Sequence, residues 1–330
     1  MEPLQGYTMH IPDGYLSPKT CAAFYAAMVP VWFIASRRVE AGLKTRELPL
    51  LALGSSFAFV IMMFNFPVPG GTSAHMVGAT IVAAVLGPWA SVVALSITLA
   101  LQAFLFGDGG ITTLGANCFN MAFLMSLSGY YIRKALSAGG ASGPRSFAAS
   151  ALAAYAAVNI AALAVALELG VQPVIARSAE GAPLYAPYSL GVTVPAMMIP
   201  HLVFSGPVEA LGTALVLSYV LKTGGALHEE KGGVGHLWAL LALLTALVPL
   251  GLLFSGTPWG EWSRDEISTL TGFVPEGMKR MPEWKGVFPG YAAPWAQGGI
   301  RGGVFYVGSA LGASAITVFL IYLWGRIWRR

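Results

Sequence analysis

Residues 88–106 read PWASVVALSITLALQAFLF, a run without a formal charge that is long enough to cross a lipid bilayer. A helix needs about 20 apolar residues to span the hydrocarbon core. Within that core each backbone amide must be satisfied inside the segment, so the run is read as a helix. Working outward, the same pattern recurs at 20–36, 48–66, 76–87, 114–136, 146–169, 190–221, 236–255 and 303–325. The run at 76–87 is too short to cross alone. It meets the next at Gly87-Pro88, which predicts a broken or tilted pair. Composition agrees, with 56% of residues hydrophobic and 10% charged, against about 25% charged in a soluble domain. The sequence therefore predicts an all-α integral membrane protein, a seven-helix bundle followed by two further transmembrane helices. The net charge of +4 calls for no nucleic-acid partner. Cys21 and Cys118 show no metal-ligand spacing and are expected to be packing residues. The first 18 residues lack a basic stretch leading into an apolar one, so no cleaved signal peptide is expected.

Orientation follows from lysine and arginine. With the N-terminus outside, the inward loops hold Arg37, Arg38, Lys44, Arg46, Arg133, Lys134, Arg145, Lys222, Lys231, Arg326, Arg329 and Arg330, which is 12 of 19 basic residues. The short outward loops keep Lys19 and Arg177, and the rest lie in the long 256–301 loop, whose charges count little. The rule thus predicts a multi-pass protein of the cell membrane with its N-terminus outside and its C-terminus in the cytoplasm. Residues 9–224 read as one membrane unit, 225–235 as a cytoplasmic linker, and 236–330 as two helices flanking a polar outer loop. Trp259, Trp262, Trp284 and Trp295 in that loop are expected to form an interfacial belt.

Chemistry gathers ahead of the first span, at Met9-His10-Ile11-Pro12-Asp13-Gly14-Tyr15. A histidine second from a free amino terminus offers three nitrogens in one plane: the amine, its own deprotonated amide and its imidazole. Square-planar nitrogen coordination suits Ni(II), and nitrogen donors also suit Co(II). This reading needs Met9 as the initiator and makes residues 1–8 an extension from a misassigned start. His75, in the outward loop Pro67-Val68-Pro69-Gly70-Gly71-Thr72-Ser73-Ala74-His75, lies on the same membrane face. It supplies a fourth nitrogen, caps the next segment, or bonds a backbone carbonyl. Pro12-Asp13-Gly14 is a turn signal. Asp13 either orients an imidazole or accepts within the turn.

Gln102, Asn117 and Asn120 are amides at membrane depth, where an unpaired polar group is costly. Holding an ion's ligands and tying helices together are both open to them. His201 and Glu209 lie eight residues apart on one helical face, near Pro195 and Pro200, and ionisable groups inside a span point to function. His201 is either an alternative ligand or a hydrogen bonder in the bundle interior. Among sequence motifs, no Walker lysine, nucleophile elbow or H-E-x-x-H pair occurs, so the chain is expected to be neither an ATPase nor another enzyme.

Met9-His10-Ile11-Pro12-Asp13-Gly14, Gly70-Gly71-Thr72-Ser73-Ala74-His75, Gly115-Ala116-Asn117-Cys118-Phe119-Asn120-Met121 and His201-Leu202 with Glu209-Ala210 resemble the CbiM/NikM family. Its members are substrate-binding S components of energy-coupling factor (ECF) transporters for cobalt and nickel. The resemblance covers residues 9–224. The tail, with Trp259-Gly260-Glu261-Trp262, Val274-Pro275-Glu276-Gly277-Met278 and Phe288-Pro289-Gly290-Tyr291, resembles a fused CbiN/NikN small component. Carried over, the family's site is the Met9 amine, the His10 amide and imidazole, and the His75 imidazole. Asp13, Gln102, Asn117, Asn120 and His201 are then candidates for the surrounding shell. The resemblance implies a transmembrane T component and two ABC ATPases as partners, Co(II) or Ni(II) as transported substrate, and no cofactor.

Two rival classes make different demands. A membrane-embedded metalloenzyme needs an open coordination position and a general base, and a closed four-nitrogen set offers no in-plane opening. An autonomous secondary transporter or channel tends to carry inverted repeats or several intramembrane charges, and this sequence displays neither.

Overall fold

The computed structural model describes residues 10–42, 47–68, 71–137, 143–223, 235–253, 258–282, 284–293, 295 and 299–328. The extension 1–8, Met9 and nearly all of the linker expected at 225–235 lie outside the described residues. The protein is an all-α membrane protein. Helix α1 spans Pro18–Gly42, α2 Leu48–Met62, α3 Ala79–Leu86 and α4 Pro88–Leu101. Helices α5 (Leu114–Asn117) and α6 (Ser126–Leu136) follow, then α7 (Pro144–Gly170), α8 (Gln172–Ile175), α9 (Leu190–Pro200) and α10 (Gly206–Thr223). The C-terminal part adds α11 (Gly235–Leu247), α12 (Arg264–Thr271), α13 (Glu276–Arg280) and α14 (Gly299–Trp328).

Each apolar run read from the sequence is mostly helical where it is described, the run at 48–66 leaving helix after Met62. Among the described residues, six helical stretches are long and apolar enough to cross a membrane, Pro88–Phe106 and Gly299–Arg326 being two of them. The pair at 76–106 is broken as expected. Gly87, at φ 90° and ψ 158°, adopts a backbone that a side chain would disfavour, and the chain turns back so that α3 packs on α4.

Helix α2 is the axle of the bundle. Apolar residues surround it, and 12 of its 15 residues are buried, as expected of a helix enclosed by others. It touches α3, α4, α11 and α14. Ser55 Oγ donates to the Ala94 carbonyl at 2.9 Å, and Thr98 Oγ1 donates to the Ser55 carbonyl at 2.9 Å. The C-terminal helices therefore share the core of the first unit. Tyr306 Oη donates to the Met63 carbonyl at 2.9 Å, tying α14 to the end of α2. Cys21 and Cys118 are free and buried, as packing residues should be.

Three stretches of π-helix interrupt these helices, at Gln102–Phe106, Cys118–Met125 and His201–Ser205. The third follows Pro200, whose missing N–H breaks the regular ladder. Such bulges concentrate at functional sites, and these carry Gln102, Asn120 and His201.

The long 256–301 loop is folded where it is described. Ser263 begins α12 with a capping box, its amide donating to the Glu266 carboxylate at 2.8 Å. A second apolar cluster joins Ile11, Tyr15 and Leu16 of the N-terminal strand to Leu169, Met197, Trp259, Ile267 and Met278. For Trp259 this replaces the exposure expected of a belt residue. Trp259 is 9% exposed and packs against Tyr188 and Trp262 over the N-terminal strand, because the loop has its own apolar face to bury. Trp284 and Trp295 remain exposed.

Candidate metal site

A cavity of about 70 Å³ opens where the N-terminal strand, the 71–75 loop, the π turns and the 259–261 segment converge. His10, His75, Asn117, Asn120, His201 and Glu261 all line it. The His10 and His75 rings, 65 residues apart in sequence, meet edge to face with centroids 5.7 Å apart and planes at 75°.

His10 is placed by its successor. The Ile11 amide donates to Asn117 Oδ1 at 3.1 Å, and Asn117 Nδ2 donates to the Ile11 carbonyl at 3.1 Å. That carbonyl also accepts from Thr113 Oγ1 at 2.5 Å and from the Gly110 amide at 3.0 Å. Asn117 thus pairs with the strand as a neighbouring β-strand would. The strand lies this close because Gly109 and Gly110 carry no side chain. A Cβ on Gly109 would stand 2.9 Å from that of His10, and one on Gly110 would overlap Asp13.

Asp13 works on the same seam and does not orient an imidazole. Its carboxylate accepts from the Thr112 amide at 2.8 Å, the Thr112 hydroxyl at 2.5 Å and the Ile111 amide at 3.3 Å. The turn at Pro12-Asp13-Gly14 brings the carboxylate onto the 111–112 loop. Gln102, by contrast, reaches the ring itself, with Oε1 3.2 Å from His10 Nε2. His10 Nδ1 is buried and has no hydrogen-bond partner among the described residues.

His75 Nδ1 lies 3.3 Å from the Met76 carbonyl, one of the roles left open by the sequence. A proton on Nδ1 leaves the lone pair on Nε2. The backbone just beyond is gripped by Glu209, fully buried on α10. Its two oxygens accept from the Val77 amide at 2.8 Å and the Gly78 amide at 3.1 Å. These donors stand at the start of α3, where no intrahelical acceptor exists. Glu209 is therefore a long-range cap that anchors the His75 loop.

His201 shares the cavity, and its Nδ1 lies 2.8 Å from the Met197 carbonyl one turn earlier on its own helix. Asn120 Nδ2 donates to Glu168 Oε2 at 3.0 Å, while Asn120 Oδ1 and Glu168 Oε1 are buried without partners among the described residues.

Glu261, Trp259 and the Thr72–Ser73 pair escaped assignment from sequence. Glu261 belongs to the quoted Trp259-Gly260-Glu261-Trp262 motif, the signal that could have marked it. Its Oε1 accepts from Ser73 Oγ at 2.5 Å, Thr72 Oγ1 at 3.1 Å and the Ser73 amide at 3.2 Å. The Trp259 amide donates to the Gly71 carbonyl at 2.9 Å. Burial pushes the Glu261 carboxyl up to about 8 against the pull of those donors. Among the described residues, no group of three or more His, Cys, Asp or Glu side chains is placed to hold a metal ion.

The protein is a polytopic helical membrane protein with two facing histidines lining one cavity, and comparison with known proteins places it among metal transporters. The family model "Cobalt uptake substrate-specific transmembrane region", CbiM, matches residues 10–227. The chain belongs to the CbiM family. It is 43% identical to the fused nickel transport protein NikMN of Rhodobacter capsulatus, over 94% of this chain and 95% of that one. It is 42% identical to a chain from Lactiplantibacillus plantarum named "Probable fused nickel transport protein LarMN", over 96% and 97%. A crystal structure of a transition metal transporter is 51% identical with a TM-score of 0.62, covering 65% of this chain and 93% of that one.

Proposed function

We propose that this protein is the substrate-capturing subunit of an ECF-type importer that takes up Ni(II) or Co(II), and that it catalyses no reaction itself. ATP is hydrolysed by two separate ABC subunits, coupled through a transmembrane T component. The site faces outward, the C-terminus lies in the cytoplasm, and residues 236–330 form a CbiN/NikN-like region. The observation carrying this reading is the meeting of His10 and His75 over a cavity, with His10 Nδ1 buried and unpartnered among the described residues.

The ion takes four nitrogens: the Met9 amine, the His10 amide, His10 Nδ1 and the His75 imidazole. Nδ1 is the ring nitrogen that closes a six-membered chelate with the residue's own amide nitrogen. A donor set half drawn from backbone accords with the absence of a three-side-chain cluster among the described residues.

The test is a Ni(II) titration followed by visible absorbance on two full-length proteins, one beginning at Met9 and one at Met1. The Met9 protein is expected to bind one ion tightly with a square-planar d–d band, and the Met1 protein is not. Equal binding by both would remove the amine from the ligand set. Because the donors must be deprotonated, protons compete with the ion. Affinity should therefore fall steeply from about pH 8 to about pH 5.5, across the ordinary range of amines and imidazoles. A flat profile over that window would contradict the four-nitrogen site.

A further inference from the structure

Gln102 carries its amide to His10 on the π turn at the end of α4, and the C-terminal region holds that turn from both sides. A π turn leaves carbonyls short of helical donors, and here the tail supplies them. Trp284 Nε1 donates to the Phe104 carbonyl at 3.0 Å, and the Val287 and Phe288 amides donate to the Leu105 carbonyl at 2.7 and 2.8 Å. Gly107 has no room for a Cβ, because the Lys285 backbone lies against it.

The same tail segment reaches the Gln102 side chain. Gln102 Nε2 donates to Tyr291 Oη at 3.2 Å, and Tyr291 Oη lies 2.5 Å from Asp108 Oδ2. Tyr291 is buried and stacked on Phe106 at 4.5 Å, with Phe59 and Tyr306 against its edges. Its φ of 60° is a left-handed backbone that non-glycine residues rarely adopt, so its surroundings dictate where the hydroxyl stands. Burial and the nearby Asp108 hold the phenol pKa well above its ordinary value, and the hydroxyl keeps its proton.

Donor counting then settles every orientation. A tyrosine hydroxyl has one proton, and the Asp108 carboxylate takes it. The oxygen is left as acceptor, so it faces the Gln102 NH₂. The Gln102 carbonyl oxygen must therefore face His10, and His10 Nε2 must carry the ring proton. Nδ1 is left as a lone pair, on the nitrogen that is buried without a partner among the described residues.

We propose that Tyr291 is a positioning residue for ion capture: by orienting Gln102 it holds His10 in the tautomer that presents Nδ1 to the metal. This rests on the assignment of His10 Nδ1 as a ligand, made under the proposed function. It gives the C-terminal region a part in the site without a ligand of its own. It also explains why Gln102 is paired with an aromatic hydroxyl more than 180 residues away (a separation of 189).

The experiment uses the full chain beginning at Met9. The ¹⁵N shifts of the His10 imidazole, read without metal at mildly alkaline pH, report the tautomer. Ni(II) affinity is measured in parallel. Tyr291→Phe keeps the stacked ring and removes the hydroxyl. It is expected to convert a single Nε2–H pattern into a mixture and to weaken Ni(II) about tenfold, the low end for loss of an outer partner of a metal ligand. Gln102→Leu should do the same. The double variant should lose no more than Gln102→Leu alone, since both act along one chain. An unchanged ¹⁵N pattern in Tyr291→Phe, or additive losses in the double variant, would overturn the proposal. Failure of the wild-type protein to bind Ni(II) would instead overturn the metal site, while the metal-free tautomer reading would still decide the role of Tyr291.

Discussion

His10→Ala is expected to abolish measurable Ni(II) binding, a loss well beyond the roughly 10- to 100-fold typical of outer-shell partners. His10 supplies two of the four proposed nitrogens. Its ring also closes the chelate that favours deprotonation of its own amide. His75→Ala should cost less, because the amine, amide and His10 ring still form a three-nitrogen set. The expected order is therefore wild type, His75→Ala, His10→Ala. Isothermal titration with a competing chelator resolves that order, and equal affinity of His10→Ala and wild type would sink the site. The apo fold should be little disturbed, since the strand is held through Ile11, Asp13 and Tyr15.

Glu209→Ala is expected to give the largest structural effect. It leaves the buried Val77 and Gly78 amides without their acceptor, and an unsatisfied buried donor costs about 1–3 kcal/mol. Two of them predict a loss of about 2–6 kcal/mol and a fall in melting temperature of the order of 5–10 °C. Glu209→Gln should fall between, keeping one acceptor and turning an NH₂ toward the second amide. Because those amides follow His75 by two and three residues, Ni(II) affinity should fall alongside stability. A Glu209→Ala protein that melts with the wild type in the same detergent would show that the cap contributes nothing. One that is destabilised yet binds Ni(II) normally would separate the cap from the site.

The spans were legible because the bilayer imposes a strong, local rule: a run of apolar residues of sufficient length must become a helix. Gly87 was legible for the same kind of reason, since a glycine–proline boundary acts on its own neighbours. The pairing of His10 with His75 came partly from topology, which places both on one face, and partly from family resemblance. Asp13 and Trp259 were misjudged because their roles depend on partners from other segments. Asp13 lies on the 111–112 loop, about a hundred residues downstream, and Trp259 is covered by the fold of a loop that hydropathy shows only as polar.

What this sequence determined by itself is the set of membrane helices and the two histidines with the chemistry to hold a metal. The helices and the His10 motif rest on composition and spacing within a few residues, whereas the role of His75 rests on topology and family resemblance. The tertiary structure alone decided which polar group meets which: Asn117 with Ile11 across 106 residues, Glu209 with Val77 across 132, and Gln102 with His10 across 92. It also brought Glu261 and Tyr291 of the C-terminal region to a site whose histidines belong to the first unit. Buried amides and carboxylates must find partners wherever packing offers them. That choice follows from how the helices and the outer loop close on one another, which spacing along the chain does not encode.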